Sequence, residues 1–231
     1  MTAKQKLVDA GVYRLSLRKN AKPPTTGLKR LLSSRKGLIS LDISSDGSIL
    51  LGTTSSRIFL IPVADLESGW LTIKPKEELT TIALHPTDHC IAVGTSKGKI
   101  HFYYCLDPAW WAERARKQQE QGERNPSPAP ESSATLHWHA HAVGALRFSA
   151  NGAYLMSGGE EAVLVNWQLR STGQKNFLPR LGGPIVGLAL SPLDAERGQE
   201  IAVTLRDGTI LFVSNQNMSV KRSIAGIKWG E

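Results

Sequence analysis

Short runs in which apolar and polar side chains alternate recur along the 231 residues, the mark of strands that bury one face. Each such run leads through a turn into a short apolar stretch ending in small residues, then through a second turn into a third run. The first copy reads Leu41-Asp42-Ile43, Ile49-Leu50-Leu51-Gly52 and Ile58-Phe59-Leu60-Ile61. The second reads Ile82-Ala83-Leu84, Ile91-Ala92-Val93-Gly94 and Ile100-His101-Phe102-Tyr103. The third reads Leu146-Arg147-Phe148, Tyr154-Leu155-Met156-Ser157-Gly158 and Val163-Leu164-Val165-Asn166-Trp167. The fourth reads Leu188-Ala189-Leu190, Ile201-Ala202-Val203-Thr204 and Thr209-Ile210-Leu211-Phe212-Val213. The turns carry suitable chemistry. Asp46-Gly47, Asn151-Gly152 and Asp207-Gly208 tolerate positive φ, and Pro86 and Pro192 preset the turn backbone.

The equivalent positions Ile43, Leu84, Phe148 and Leu190 are spaced by 41, 64 and 42 residues. The long interval contains an insertion, and a period near 41 built from short strands and tight turns predicts an all-β, WD-repeat β-propeller. About four blades of antiparallel four-stranded sheet are expected, at 28–68, 69–106, 136–181 and 182–226. They form part of a ring, such as the C-terminal part of a seven-bladed one. Residues 1–27 form a basic, partly irregular segment in which Val12 to Leu17 alternates well enough to add strand material. The insertion at 107–135 is expected to hold a short helix with Pro108 near its first turn, followed by a disordered loop rich in Pro and Ser.

The third copy carries a polar constellation. His139, Ser157, Glu161 and Trp167 occupy the positions at which a WD blade links a histidine, a small hydroxyl residue, an acid and a tryptophan by hydrogen bonds. Each is a group that needs a partner once buried, and the four can satisfy one another. A serine, a histidine and an acid also occur in hydrolases, but Ser157 stands in no Gly-x-Ser-x-Gly elbow and no second small-residue site reads as an oxyanion hole. The reading is therefore structural and non-catalytic. His137, His139 and His141 alternate without a further ligand at fixed spacing, so no metal site is assigned. The run from Gly94 to Lys99 has the wrong spacing for a phosphate loop. No cofactor and no small-molecule substrate are implied. Cys90 and Cys105 sit in apolar runs and read as free buried thiols.

Charge changes the picture at one end only. The first 36 residues hold ten basic residues and one acid, a net +9, while the rest, with 18 basic and 19 acidic residues, carries −1. Lys19, Lys22, Lys29, Arg30, Arg35 and Lys36 are candidate RNA contacts, since such a segment reaches phosphates by counterion release or serves as a nuclear address. In the insertion, Trp110 and Trp111 beside Arg114 are candidate partner contacts, because interface hot spots favour Trp and Arg. No apolar run approaches the ~20 residues of a membrane span, and the first 30 residues are polar and basic, so neither membrane anchor nor secretory signal is expected.

Two runs carry a family resemblance: Ser157-Gly158-Gly159-Glu160-Glu161-Ala162-Val163-Leu164-Val165 and Phe177-Leu178-Pro179-Arg180-Leu181-Gly182, preceded by Leu136-His137-Trp138-His139. Together they resemble the Utp-seventeen family, also called Net-one-associated nuclear protein, a nucleolar WD-repeat subunit of the UtpA subcomplex of the small-subunit processome. The resemblance implies a scaffold in the nucleus and nucleolus that supports pre-ribosomal RNA processing and RNA polymerase I transcription. Its implied partners are other UtpA subunits, with contact to pre-ribosomal or small nucleolar RNA left open. Members carry tandem propellers on a much longer chain. The alternative is a generic WD adaptor, such as a ubiquitin-ligase substrate receptor or a cytoplasmic assembly platform.

Overall fold

The computed structural model describes residues 37–63, 71–104, 107, 132–170, 174–192 and 199–225, and the backbone alone of 10–14 and 29–34. Among them there are strands and turns but no helix, and therefore none long and apolar enough to cross a membrane. Strands β1 (Ala10–Arg14) and β2 (Lys29–Ser34) pair with each other. The remaining sixteen form four antiparallel sheets of four: β3 (Ser40–Ile43), β4 (Ile49–Thr54), β5 (Arg57–Pro62) and β6 (Leu71–Ile73); β7 (Leu79–Leu84), β8 (Cys90–Thr95), β9 (Lys99–Tyr104) and β10 (Ala134–His137); β11 (Val143–Phe148), β12 (Tyr154–Gly159), β13 (Leu164–Gln168) and β14 (Lys175–Leu178); β15 (Ile185–Leu190), β16 (Glu200–Leu205), β17 (Ile210–Ser214) and β18 (Ser219–Ile224).

Within each sheet the strands run in chain order, and the first strand lies against the first strand of its neighbour: β3 on β7, β7 on β11, β11 on β15. This is the radial stacking of propeller blades.

The strand period of two explains why the middle strands are buried on both sides. In β8, Ile91 and Val93 enter the core shared with the first sheet, together with Leu51, Ile58 and Leu60. Cys90 and Ala92 of the same strand enter the core shared with the third sheet, together with Val143, Phe148 and Trp167. In β12, Leu155 joins that second core while Met156 joins a third with Ile185, Val203 and Val213. Close approach between sheets falls at small residues. A side chain on Gly94 would strike Val143, and one on Gly158 would strike Ile185. Both aliphatics sit where their strand breaks register, which turns them toward the preceding sheet. The glycines of the Asp-Gly and Asn-Gly turns adopt the expected left-handed backbone, with φ of 72° at Gly47, 67° at Gly152 and 85° at Gly208.

Pairing distributes the outer strands differently from the sequence period. Leu71, Thr72 and Ile73 complete the first sheet, although the period starts the second copy at 69. The second sheet takes its fourth strand, β10, from beyond the insertion, beginning at Ala134. Lys29–Ser34 lies beside β1 and not in the first four-stranded sheet. The outer strands β10, β14 and β18 are largely exposed and carry little alternation, and β6 has only three residues, so their place is decided by pairing.

Candidate interaction surfaces and the His139 hydrogen-bond chain

His139 precedes β11, Ser157 lies on β12, Glu161 follows that strand in a tight turn, and Trp167 lies on β13. The imidazole Nδ1 faces the Glu161 carboxylate and therefore carries the proton that it donates to it. The Nε2 is left as an acceptor for the Ser157 hydroxyl at 2.7 Å. The Ser157 oxygen in turn accepts the Trp167 indole N–H at 2.8 Å. One line of donors runs from the indole to the carboxylate and ties the loop before β11 to β12, β13 and their connecting turn. Ser157 is fully buried and His139 nearly so, which removes both from any substrate's reach. Burial pushes the His139 imidazole below its ordinary 6.5, and Glu161 pulls it back only in part. The turn that carries Glu161 places Ala162 at φ 63°.

At the opposite end of the sheets a second set of polar contacts crosses from blade to blade. Asp42 of β3 accepts the Leu84 N–H at 2.8 Å and lies 3.7 Å from the Arg147 guanidinium, so one carboxylate spans three innermost strands. His85, at the end of β7, accepts the backbone N–H of Asp88 at 2.8 Å and that of Thr87 at 3.3 Å through Nδ1. Its Nε2–H is thereby set to donate to the Gly152 carbonyl of the next blade, 3.0 Å away. The His85 ring also meets Phe148 edge-on, with centroids 4.8 Å apart. Two cavities flank this histidine. One of about 260 Å³ lies between the second and third sheets and is lined by Cys90, Phe102, Leu136 and Arg170 among others. The other, about 140 Å³, opens beside Asp42, Pro86 and Arg147. Burial, reinforced by Asp88, raises the Cys90 thiol to about 12, so it stays protonated and packs as a small apolar group.

The structure thus brings the four residues of the His139 constellation together. Trp110, Trp111 and Arg114, and likewise Lys19, Lys22, Arg35, Lys36 and Cys105, lie outside the described residues. Lys29 and Arg30 stand on β2, opposite Arg14 and Tyr13 in register. The bridging roles of Asp42, Arg147 and His85 were not read from sequence. Each joins residues of different blades, and no motif or period marks such a pairing. Phe177 is exposed with its ring 5.3 Å from that of Trp138, and no sequence signal marks this pair as a surface.

The WD repeat-containing protein 75 first beta-propeller family matches residues 72–198, the span that contains both the His139 chain and the His85 bridge. The chain belongs to this family. WD repeat-containing protein 75 of Danio rerio is 33% identical over 173 residues, covering 75% of this chain and 17% of that protein. U3 small nucleolar RNA-associated protein 17 of Schizosaccharomyces pombe is 37% identical over 92 residues, 40% of this chain and 11% of that one. NET1-associated nuclear protein 1 of Saccharomyces cerevisiae is 51% identical over 51 residues, 22% of this chain and 6% of the relative. The chain therefore spans at most 17% of the length of these relatives. A chain in the crystal structure of the mitotic checkpoint complex shares the fold, with a TM-score of 0.66 over 94% of this chain and 58% of that chain at 17% identity. The resemblance to the Utp-seventeen and Net-one-associated family is established by these relatives, and the family's compartment is the nucleus and nucleolus.

Proposed function

We propose that this WD75-type propeller segment is a non-catalytic scaffold of small-ribosomal-subunit biogenesis, a component of the small-subunit processome that holds UtpA subunits together and supports pre-ribosomal RNA processing and RNA polymerase I transcription. The observation that carries the non-catalytic part of the reading is the burial of the hydrolase-like constellation among the described residues. Ser157 and His139 use their polar atoms on Trp167 and Glu161 and have no face toward solvent. What the blades offer to the outside is a set of rigid turns and edges, which suits docking. The names of the relatives, one associated with U3 small nucleolar RNA and one with NET1, support the nucleolar setting.

The test is affinity purification of the tagged chain from nuclei, with identification of co-purifying proteins and RNA, alongside imaging of the same fusion. Enrichment of processome subunits and nucleolar residence are expected. Exclusion from nucleoli, with ubiquitin-ligase or cytoplasmic partners, would replace this reading with that of a generic WD adaptor. For RNA, the charge of residues 1–36 leads to binding that weakens steeply with salt and is lost when that segment is deleted, because phosphate affinity is chiefly electrostatic. Binding indifferent to salt or to the deletion would refute an RNA contact by Lys19, Lys22, Lys29, Arg30, Arg35 and Lys36.

A further inference from the structure

Among the described residues four outer strands have no strand beyond them, and two of them, β6 and β18, are blunted against further pairing. β6 has three residues and is largely buried. β10 offers the small residues Ala134 and Thr135, and Thr135 is hydrogen-bonded to His101. β18 breaks register beside β17, and its Lys221 and Arg222 both reach Glu200. β14 differs. Like β10 it pairs in unbroken register and is exposed, but among the four it presents both an exposed aromatic ring, Phe177, and an exposed cation, Lys175.

Which backbone groups of β14 point outward follows from the ladder. Gln168 donates to the Gln174 carbonyl at 3.0 Å, so Gln174 faces β13, and the antiparallel alternation turns Asn176 and Leu178 the same way. The N–H and C=O of Lys175 and Phe177 therefore point away from the sheet. The side chains of those same two residues share the face of Trp167 and Val165, which looks toward the second sheet. Phe177 is 52% exposed and tilts against the half-buried Trp138, forming an aromatic ridge between two blades. Lys175 stands 5.7 Å over the Trp167 ring, and Arg180, held at φ 62° just beyond the strand, is exposed. Among the described residues no carboxylate forms an ion pair with either cation.

We propose that the free edge of β14 is a docking site for an extended segment of a protein partner that carries a carboxylate and an apolar side chain two residues apart. The segment adds a fifth strand to the blade. Its main chain bonds to the outward groups of Lys175 and Phe177, an acid sits opposite Lys175, and an apolar side chain two residues away lies on Phe177 and Trp138. The positive charge of Lys175 and Arg180 selects the acidic partner. This proposal rests on the scaffold reading and names one of its contacts.

A random library of short peptides selected on the immobilised full chain tests it. Enriched peptides should show an acidic and an apolar residue two positions apart. In amide hydrogen exchange they should protect Lys175 and Phe177 and leave Asn176 and Leu178, already bonded to β13, unchanged. Phe177→Asp and Lys175→Glu should each weaken binding about tenfold or more, with circular dichroism and melting temperature retained. Absence of enrichment, undiminished affinity in both variants, or protection by a single-stranded oligoribonucleotide but not by peptide would overturn the proposal. If the chain still enters nucleoli and co-purifies processome subunits, this edge falls and the scaffold reading stands.

Discussion

Glu161 reaches His139 through space that exists only because residue 159 is glycine: a side-chain carbon on Gly159 would collide with both carboxylate oxygens of Glu161. An aspartate is shorter by one methylene and would not fill that space. Gly159→Ala is expected to destabilise by ~1–3 kcal/mol, the usual cost of overpacking. Glu161→Asp in the same background should recover part of the loss. A double-mutant cycle by urea unfolding checks this, and strictly additive losses would show that the two residues do not share the space.

The donor line from Trp167 to Glu161 predicts loss of stability when any middle member is removed. His139→Ala leaves the Ser157 hydroxyl and the Glu161 carboxylate without their partner and should cost about 1–3 kcal/mol. Ser157→Ala orphans the Trp167 indole and should fall in the same range. Denaturant midpoints measure both, and a change near zero would mean the blade is not tied together in this way.

Protonation acts on the same chain. The folded His139 has its pKa below the ordinary 6.5, so between that depressed value and 6.5 the unfolded state binds more protons than the folded one. The contribution of His139 is therefore complete above 6.5 and declines as the pH falls below it. Melting temperatures from pH 7.5 to 5.5 should fall in the wild type and fall less in His139→Gln. Parallel curves would assign the acid sensitivity elsewhere.

Sheet stacking makes a fourth prediction. Gly158→Ala drives a carbon into Ile185 and should push β15 away from β12, at a cost of ~1–3 kcal/mol. Amide exchange in β15 should quicken while that in β7 is unaffected, since the first and second sheets meet elsewhere. Uniform quickening through all four sheets would show that the contact is not local.

By itself the sequence determined the blades, their turns and one polar chain. Alternation at period two marks which side chains face a core, whatever the neighbouring sheet. Asp-Gly and Asn-Gly pairs state a backbone requirement within two residues, and Gly47, Gly152 and Gly208 meet it. The His139 constellation was legible because its four members stand at spacings set by one blade, between residues 139 and 167. Tertiary structure decided what crosses from one blade to another. His85 meets Gly152 across 67 residues, Asp42 meets Leu84 across 42, and Ala134 pairs with Phe102 over an insertion. Such partners depend on how the faces of separate sheets stack, and sheet stacking is set by the sum of many apolar contacts. No single spacing records it. The same holds for β14, whose outer edge pairs with no other described strand.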